Sequence, residues 1–378
     1  MLIGLTAGAL VLLGLMMILS ASSVSSFANY GSSFTFFQKQ LAWAVVGILS
    51  YVVLARVDYR KLRGSGYPAL TIAVGLLCAV LVPGVGVVVG GSARWIGLGP
   101  LSFQPSEIAK RALVVFAADV FARKREQSLH VPGHAAIPLL PVLALLGALV
   151  ILQPDLGTAL ILGAIGLGML FVAGARLRYV GAMTIAGTAA AAFAAFAEDY
   201  RRARILAFLD PWKDPLDTGY QTIQSLLALG SGGWLGVGLG ASRQKYLYIP
   251  NAHTDFIFAI LGEEVGFLGT AAVLGAFCFL AYLGIQTARR APDRFGMLLA
   301  AGVTIWISVQ ALVNVGAVAA ALPITGVPLP LVSFGGTSLV MTLAGIGILT
   351  NVASQARASS GQRRRVPRAQ RGAAARGR

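Results

Sequence analysis

Ionisable side chains in this chain are gathered into a few short segments between long apolar runs. The segment IPNAHTDFIFA places Asp255 two residues after His253, with Arg243, Lys245, Tyr246 and Tyr248 upstream and Glu263 and Glu264 two turns downstream. With Thr254 or Asn251 as cap, Asp255 is expected in the first turn of a helix at a membrane surface. The helix dipole favours the carboxylate there, and a carboxylate can take a proton from a hydroxyl. The segments GSARWIGLGP and QPSEIAKR bring Arg94 ahead of a helix that Pro105 would start, with Glu107 facing Lys110 and Arg111 at i+3 and i+4. Ionisable groups at membrane depth usually face a cavity and a partner, so an anionic headgroup is the chemistry expected here. A self-neutralising cluster is the structural alternative. In QPDLGT, Gln153 and Asp155 form a tight turn in which Asp155 caps the next helix, either as a cap alone or also as a hydrogen-bonding group for substrate. LPITGVPLPLVSFGGTS has three prolines and adjacent glycines and reads as a stiff re-entrant loop carrying Ser333. Its Gly335 and Gly336 amides are placed to hold an anion at a helix N-terminus.

The elements that must position these groups are membrane helices. Of 378 residues 57% are hydrophobic and 12% charged, with a mean hydropathy of +0.77. Soluble domains carry roughly 45–50% and 25%, which excludes an ordinary cytosolic enzyme. Continuous apolar runs exclude a β-barrel and predict an all-α polytopic protein. About ten spans are expected, near 2–20, 40–55, 67–89, 105–122, 136–152, 157–174, 179–197, 255–284, 296–321 and 337–353. Alternate connections hold the basic residues: Arg56, Arg60, Lys61 and Arg63, then Arg123, Lys124 and Arg125, then Arg176 and Arg178, then Arg289, Arg290 and Arg294. Positive charge marks the cytoplasmic side, so both termini are expected there. No basic residue precedes the first apolar run, which therefore reads as a span and not as a cleaved signal peptide.

Residues 1–356 are read as one transmembrane domain. Residues 198–254 form a long loop between the seventh and eighth spans, expected to be a partly ordered extracytoplasmic cap with an amphipathic stretch at Thr222–Leu229. Its glycine run, Ser231–Gly240, resembles a nucleotide loop only superficially, since no strand precedes it. Residues 357–378, with eight arginines of the net +16 charge, read as a disordered cytoplasmic tail near anionic lipid, with no nucleic-acid role expected. Cys78 and Cys278 lie in apolar runs, and neither they nor His130, His134 and His253 have metal-ligand spacing.

Four segments together, GSARWIGLGPLSFQPSEIAK, LQPDLGTA, the stretch from YQTIQSLLALGSGG to HTDFIFAILGEEVGFLG, and LPITGVPLPLVSFGGTS, resemble the signatures of the SEDS proteins, the FtsW/RodA group of bacterial cell-wall polymerases. The resemblance runs in order over essentially the whole chain. MILSASSV and GIGILTNVASQAR lean toward the division branch over the elongation branch. The resemblance implies a SEDS fold with a GT-C-like core and a peptidoglycan glycosyltransferase that polymerises lipid II, the undecaprenyl-diphosphate-linked disaccharide peptide, on the outer face of the membrane. It implies a class B penicillin-binding protein as cross-linking partner, alongside other division proteins. The matching positions imply that Asp255 is the catalytic residue, acting as general base, and give importance to Arg94, Glu107, Lys110, Gln153 and Asp155. Substrate and diphosphate contacts are extended to Arg243, Lys245, His253 and Ser333. No organic cofactor is expected; a divalent cation, Mg or Mn, bridging Asp255 to diphosphate is left open. A lipid II flippase and a non-catalytic scaffold are the alternative readings.

Overall fold

The computed structural model describes residues 1–89, 92–98, 101–124, 131, 133, 138–250 and 252–365. Twelve α-helices form among these residues: α1 (Leu2–Tyr30), α2 (Thr35–Arg56), α3 (Gly66–Leu81), α4 (Pro105–Arg123), α5 (Leu140–Ile151), α6 (Leu156–Val172), α7 (Leu177–Phe196), α8 (Asp199–Leu209), α9 (Tyr220–Ser231), α10 (Ile257–Arg290), α11 (Arg294–Val318) and α12 (Gly336–Arg365). Six, α1, α2, α7, α10, α11 and α12, are long and apolar enough to cross a membrane, and α3, α5 and α6 are shorter apolar helices. α4 falls outside both groups because Glu107, Lys110, Arg111, Asp119 and Arg123 interrupt it. These ten correspond to the ten expected spans, while α8 and α9 lie in the long connection.

α11 and α12 lie at the centre of the bundle, with 67% and 83% of their apolar windows buried against 6% for α7. α4 buries both its charged first turns and its apolar middle. α2 packs along α12, α10 along α11 and α3 along α4, whereas α7 touches α6 and leaves Ile185 and Phe193 exposed. In lipid an exposed apolar side chain carries no penalty, so a helix apolar all round can serve at the periphery.

Three boundaries differ from expectation for identifiable reasons. α1 continues past residue 20 through a serine-rich turn, in which Ser22 donates to the carbonyl of Ile18 at 2.6 Å, and it ends at Gly31 in the left-handed conformation (φ 70°). The expected third span, 67–89, stops at Leu81. Its valine-rich remainder pairs instead as β1 (Gly86–Val89), antiparallel to β2 (Ser92–Leu98), which pairs in turn with β3 (Leu101–Phe103). Pro83 and Gly84 break the helix, and branched valines suit a strand, a distinction that an apolar run of this length hides. At the far end, α12 continues to Arg365, so the helix enters the basic stretch expected to be a tail.

The glycine run of the long connection supports a break in α10. Gly266 has non-helical geometry (φ 70°, ψ −167°), which frees the surrounding backbone groups. Val237 and Gly238 N–H donate to the carbonyls of Glu263 and Glu264 at 3.0 and 3.1 Å, and Phe267 and Leu268 N–H donate to those of Gly233 and Trp234 at 2.9 and 3.2 Å. Buried backbone groups need such partners, and only glycine lets the two backbones approach this closely. A Cβ on Gly236 would lie 2.2 Å from the Glu264 carbonyl oxygen.

Candidate active site

Asp255 stands in the turn before α10, not in the helix's first turn. α10 begins at Ile257, and its N-cap Phe256 makes no side-chain capping bond. Asn251, the other expected cap, lies outside the described residues. The backbone here bonds outward: Asn314 of α11 donates to the Asp255 carbonyl at 2.8 Å, and Phe334 N–H donates to that of His253 at 2.9 Å. The Asp255 side chain is partly buried beside the loop joining α11 to α12, where a Cβ on Gly326 would stand 3.7 Å from its Oδ2.

Burial is the main influence on this carboxyl and pushes it up to about 6. Arg204 opposes that shift, Asp155 adds to it, and Arg94 opposes it more weakly. Such a value keeps the group ionised at neutral pH while leaving it a stronger proton acceptor than an exposed aspartate. Arg204, on α8, also donates to the Ile324 carbonyl at 3.5 Å and so ties the long connection to the same loop.

The QPDLGT turn reaches Asp255 through that loop. A Cβ on Gly157 would lie 2.6 Å from the Thr325 carbonyl oxygen, so the glycine is what permits the contact. Asp155 is the N-cap of α6, its Oδ1 accepting from Thr158 N–H at 3.0 Å and its Oδ2 from the Thr158 hydroxyl at 2.8 Å. Gln104 donates to the same Oδ2 at 3.4 Å. Arg94, on β2, donates from Nε to the Gln153 carbonyl at 2.9 Å and from Nη2 to that of Pro154, while Gln153 donates to the Leu77 carbonyl at 3.0 Å. The small sheet thus brings a guanidinium to the turn that carries Asp155.

Other candidates are placed elsewhere. Lys110 is fully buried, with Nζ 2.7 Å from Glu107 Oε1 and 2.6 Å from Gln310 Oε1. Gln310 donates to the Pro328 carbonyl at 3.0 Å, and Asn314 to that of Val327 at 2.8 Å. The Glu107–Lys110 pair therefore braces the loop beside Asp255 from within the bundle, and Lys110 presents no free cation. Lys245 is also buried, 3.8 Å from Glu264 and bonded to the Gly240 carbonyl. Glu263 accepts from the Ser242 hydroxyl at 2.5 Å and from Arg243 N–H at 2.9 Å. These contacts fasten the end of the long connection to α10, leaving the Arg243 side chain exposed. His253 packs between Phe36 and Phe334, with ring centroids 4.6 and 5.5 Å away, and burial pushes it down to about 4. It is neutral at physiological pH and cannot serve as a diphosphate cation. The Ser333 hydroxyl accepts from Leu329 N–H at 2.8 Å within its own turn. Gly335 N–H is taken by Gln40 at 3.2 Å, and Gly336 is required by packing, since a Cβ there would overlap the Trp43 ring.

Sequence reasoning missed Arg204, Gln310, Asn314 and Gln40. Gln310 and Asn314 did carry a signal, being two amides one turn apart in an apolar helix. Among the described residues no three of His, Cys, Asp and Glu meet as a metal cluster. The Asp155 oxygens accept from Thr158 and Gln104, so in this arrangement that carboxylate serves as the cap of α6.

The fold and this arrangement define a polytopic membrane protein with a partly buried carboxylate and two arginines grouped at one end of the bundle. The FtsW/RodA/SpoVE model, described as a cell cycle protein family, matches residues 1–358, and the chain belongs to that family. A probable peptidoglycan glycosyltransferase FtsW from Geobacter metallireducens is 41% identical over 352 residues, covering 93% of each chain. Stage V sporulation protein E of Bacillus subtilis is 39% identical over 348 residues, covering 92% of this chain and 95% of its own. Among solved structures, a chain of a peptidoglycan synthase complex, studied for its coordination of polymerization and crosslinking, superposes with a TM-score of 0.77 at 31% identity, covering 94% of this chain and 97% of that one. The rod shape determining protein RodA of Thermus thermophilus gives 0.69 at 28%, covering 93% and 96%.

Proposed function

We propose that this chain polymerises lipid II into glycan strands on the outer face of the bacterial plasma membrane during septal wall synthesis, with Asp255 as general base. The observation that carries the reading is the placement of a raised-pKa carboxylate with Arg204 and Arg94 nearby, at the end of the bundle opposite the basic connections. Asp255 takes the proton from the acceptor sugar hydroxyl as that oxygen attacks the anomeric carbon of the donor. Undecaprenyl diphosphate departs, and the arginines stabilise the charge that develops on it. An α-linked donor and a β-linked product require inversion, which one base accomplishes without a glycosyl-enzyme intermediate. The positive-inside pattern supports termini on the cytoplasmic side, with the Asp255 end outside. The likeness to a chain of a synthase complex supports a class B penicillin-binding protein as the transpeptidase partner, within the division machinery.

The test is lipid II polymerisation by the purified chain with its cognate transpeptidase, in the presence of moenomycin to silence classical transglycosylases. Glycan strands from the parent and none from a folded Asp255→Asn variant are expected. Equal product from both would remove Asp255 as the base.

A further inference from the structure

Asp255 lies in the chain between two points that grip one another. Before it come Ser242, Arg243, Gln244 and Lys245 at the end of the long connection, and after it, two turns into α10, come Glu263 and Glu264. The buried Glu263 carboxylate accepts from three consecutive residues: the Ser242 hydroxyl at 2.5 Å, Arg243 N–H at 2.9 Å and Gln244 N–H at 3.3 Å. Glu264 is buried beside it. Its Oε1 accepts from the Ser20 hydroxyl of α1 at 2.5 Å and from Ser242 N–H at 3.4 Å, and stands 3.8 Å from Lys245 Nζ. Among the described residues Lys245 is the one cation within ion-pair distance of either acid. Two buried carboxylates are costly unless paired and hydrogen-bonded, so their presence calls for a reason. Closing the break in α10 needs only their backbone carbonyls, which accept from Val237 and Gly238. The side chains hold instead the segment that leads into Asp255.

We propose that Glu263, Glu264 and Lys245 are positioning residues for the Asp255 carboxylate: they clasp the chain on either side of it and tie it, through Ser20, to α1. The inference rests on Asp255 being the general base. Its backbone is held separately, by the Asn314 amide at the Asp255 carbonyl and by Phe334 N–H at that of His253. With the clasp closed as well, the carboxylate keeps its partly buried place beside the loop joining α11 to α12. A reacting group displaced by about 1 Å loses up to about 100-fold in rate, so the clasp acts on kcat without touching substrate.

The experiment is lipid II polymerisation by the full chain with its transpeptidase, with kcat and KM followed across pH and the melting temperature taken on each preparation. Lys245→Met should lower kcat by about 10- to 100-fold with KM changed by no more than about twofold. Its acid limb should also move below about pH 6, because a slackened segment lets water reach Asp255 and burial is what raises that carboxyl. Loss of the lysine charge alone would move the limb the other way. Lys245→Met/Glu264→Gln, which removes the unpaired buried charge, should recover the melting temperature while keeping the low kcat and the moved limb. Asp119→Asn, which removes the buried partner of Arg123 near the C-terminal end of α4, should lower the melting temperature and leave the limb in place. Parental kcat in the double variant, a lowered kcat with an unmoved limb, or an equal limb shift in Asp119→Asn would each overturn the proposal. Full activity in Asp255→Asn would remove the base itself, and the role of the clasp with it.

Discussion

Replacing Asp255 by Asn should stabilise the protein while abolishing its activity, and the two effects come from the same physical cause. Burial lifts the carboxyl from 3.8 to about 6, so the folded chain binds its proton more tightly than the unfolded chain does. Between those values the unfolded state ionises first, and stability falls as pH rises through the window. Above pH 6 the loss is complete and constant. A gap of roughly two pKa units, at about 1.36 kcal/mol each, bounds it at about 3 kcal/mol. Asparagine is nearly isosteric and carries no charge. Relative to the parent, Asp255→Asn should therefore gain up to about 3 kcal/mol at pH 7 and nothing below pH 4. Thermal unfolding in detergent at intervals from pH 4 to pH 8 measures the difference, and lipid II polymerisation on the same preparations measures activity. A stability difference independent of pH, or one that grows toward low pH, would refute the argument that desolvation dominates this carboxyl. In the parent, the acid limb of the rate should fall near pH 6.

Arg204→Gln removes a charge that holds the Asp255 carboxyl down, so the acid limb should move to higher pH, by about one unit or less; an unmoved limb would detach Arg204 from the site. Lys110→Ala leaves Glu107 buried without its partner and should cost about 3–5 kcal/mol in unfolding measurements, whereas Lys110→Met with Glu107→Gln should recover much of that. Gly266→Ala combines a backbone at φ 70° with a Cβ 2.3 Å from Gly236 N, and a loss of about 3 kcal/mol or more is expected. Gly275→Ala in the same helix, with no atom within 4 Å of the new methyl, should be near neutral by comparison.

The motifs that named the candidate site were legible because turn and cap chemistry is local. Pro105 starts α4 and Asp155 caps α6, as their types and spacing require. Side-chain roles were harder to read where a charge has two directions available. Lys110 and Lys245 read as cations for a diphosphate, yet both turn inward to glutamates on nearby helical turns. Spacing records that such pairs can meet, but not whether they meet facing a groove or facing the core. Arg204 had no local signal, because its importance comes from α8 folding back onto a loop 120 residues further along the chain.

The multi-pass helical character, the ten apolar helices and the family were legible in composition, apolar run length and motif order. These properties are local or additive along the chain, because each span must satisfy its own backbone within lipid. Tertiary structure decided which ionisable groups share the Asp255 end, that the glycine run closes a break in α10, and that the valines after Leu81 form a strand. Each of these depends on a partner distant in sequence: a buried charge or a freed backbone group takes whichever complement the packed bundle places within about 3 Å of it.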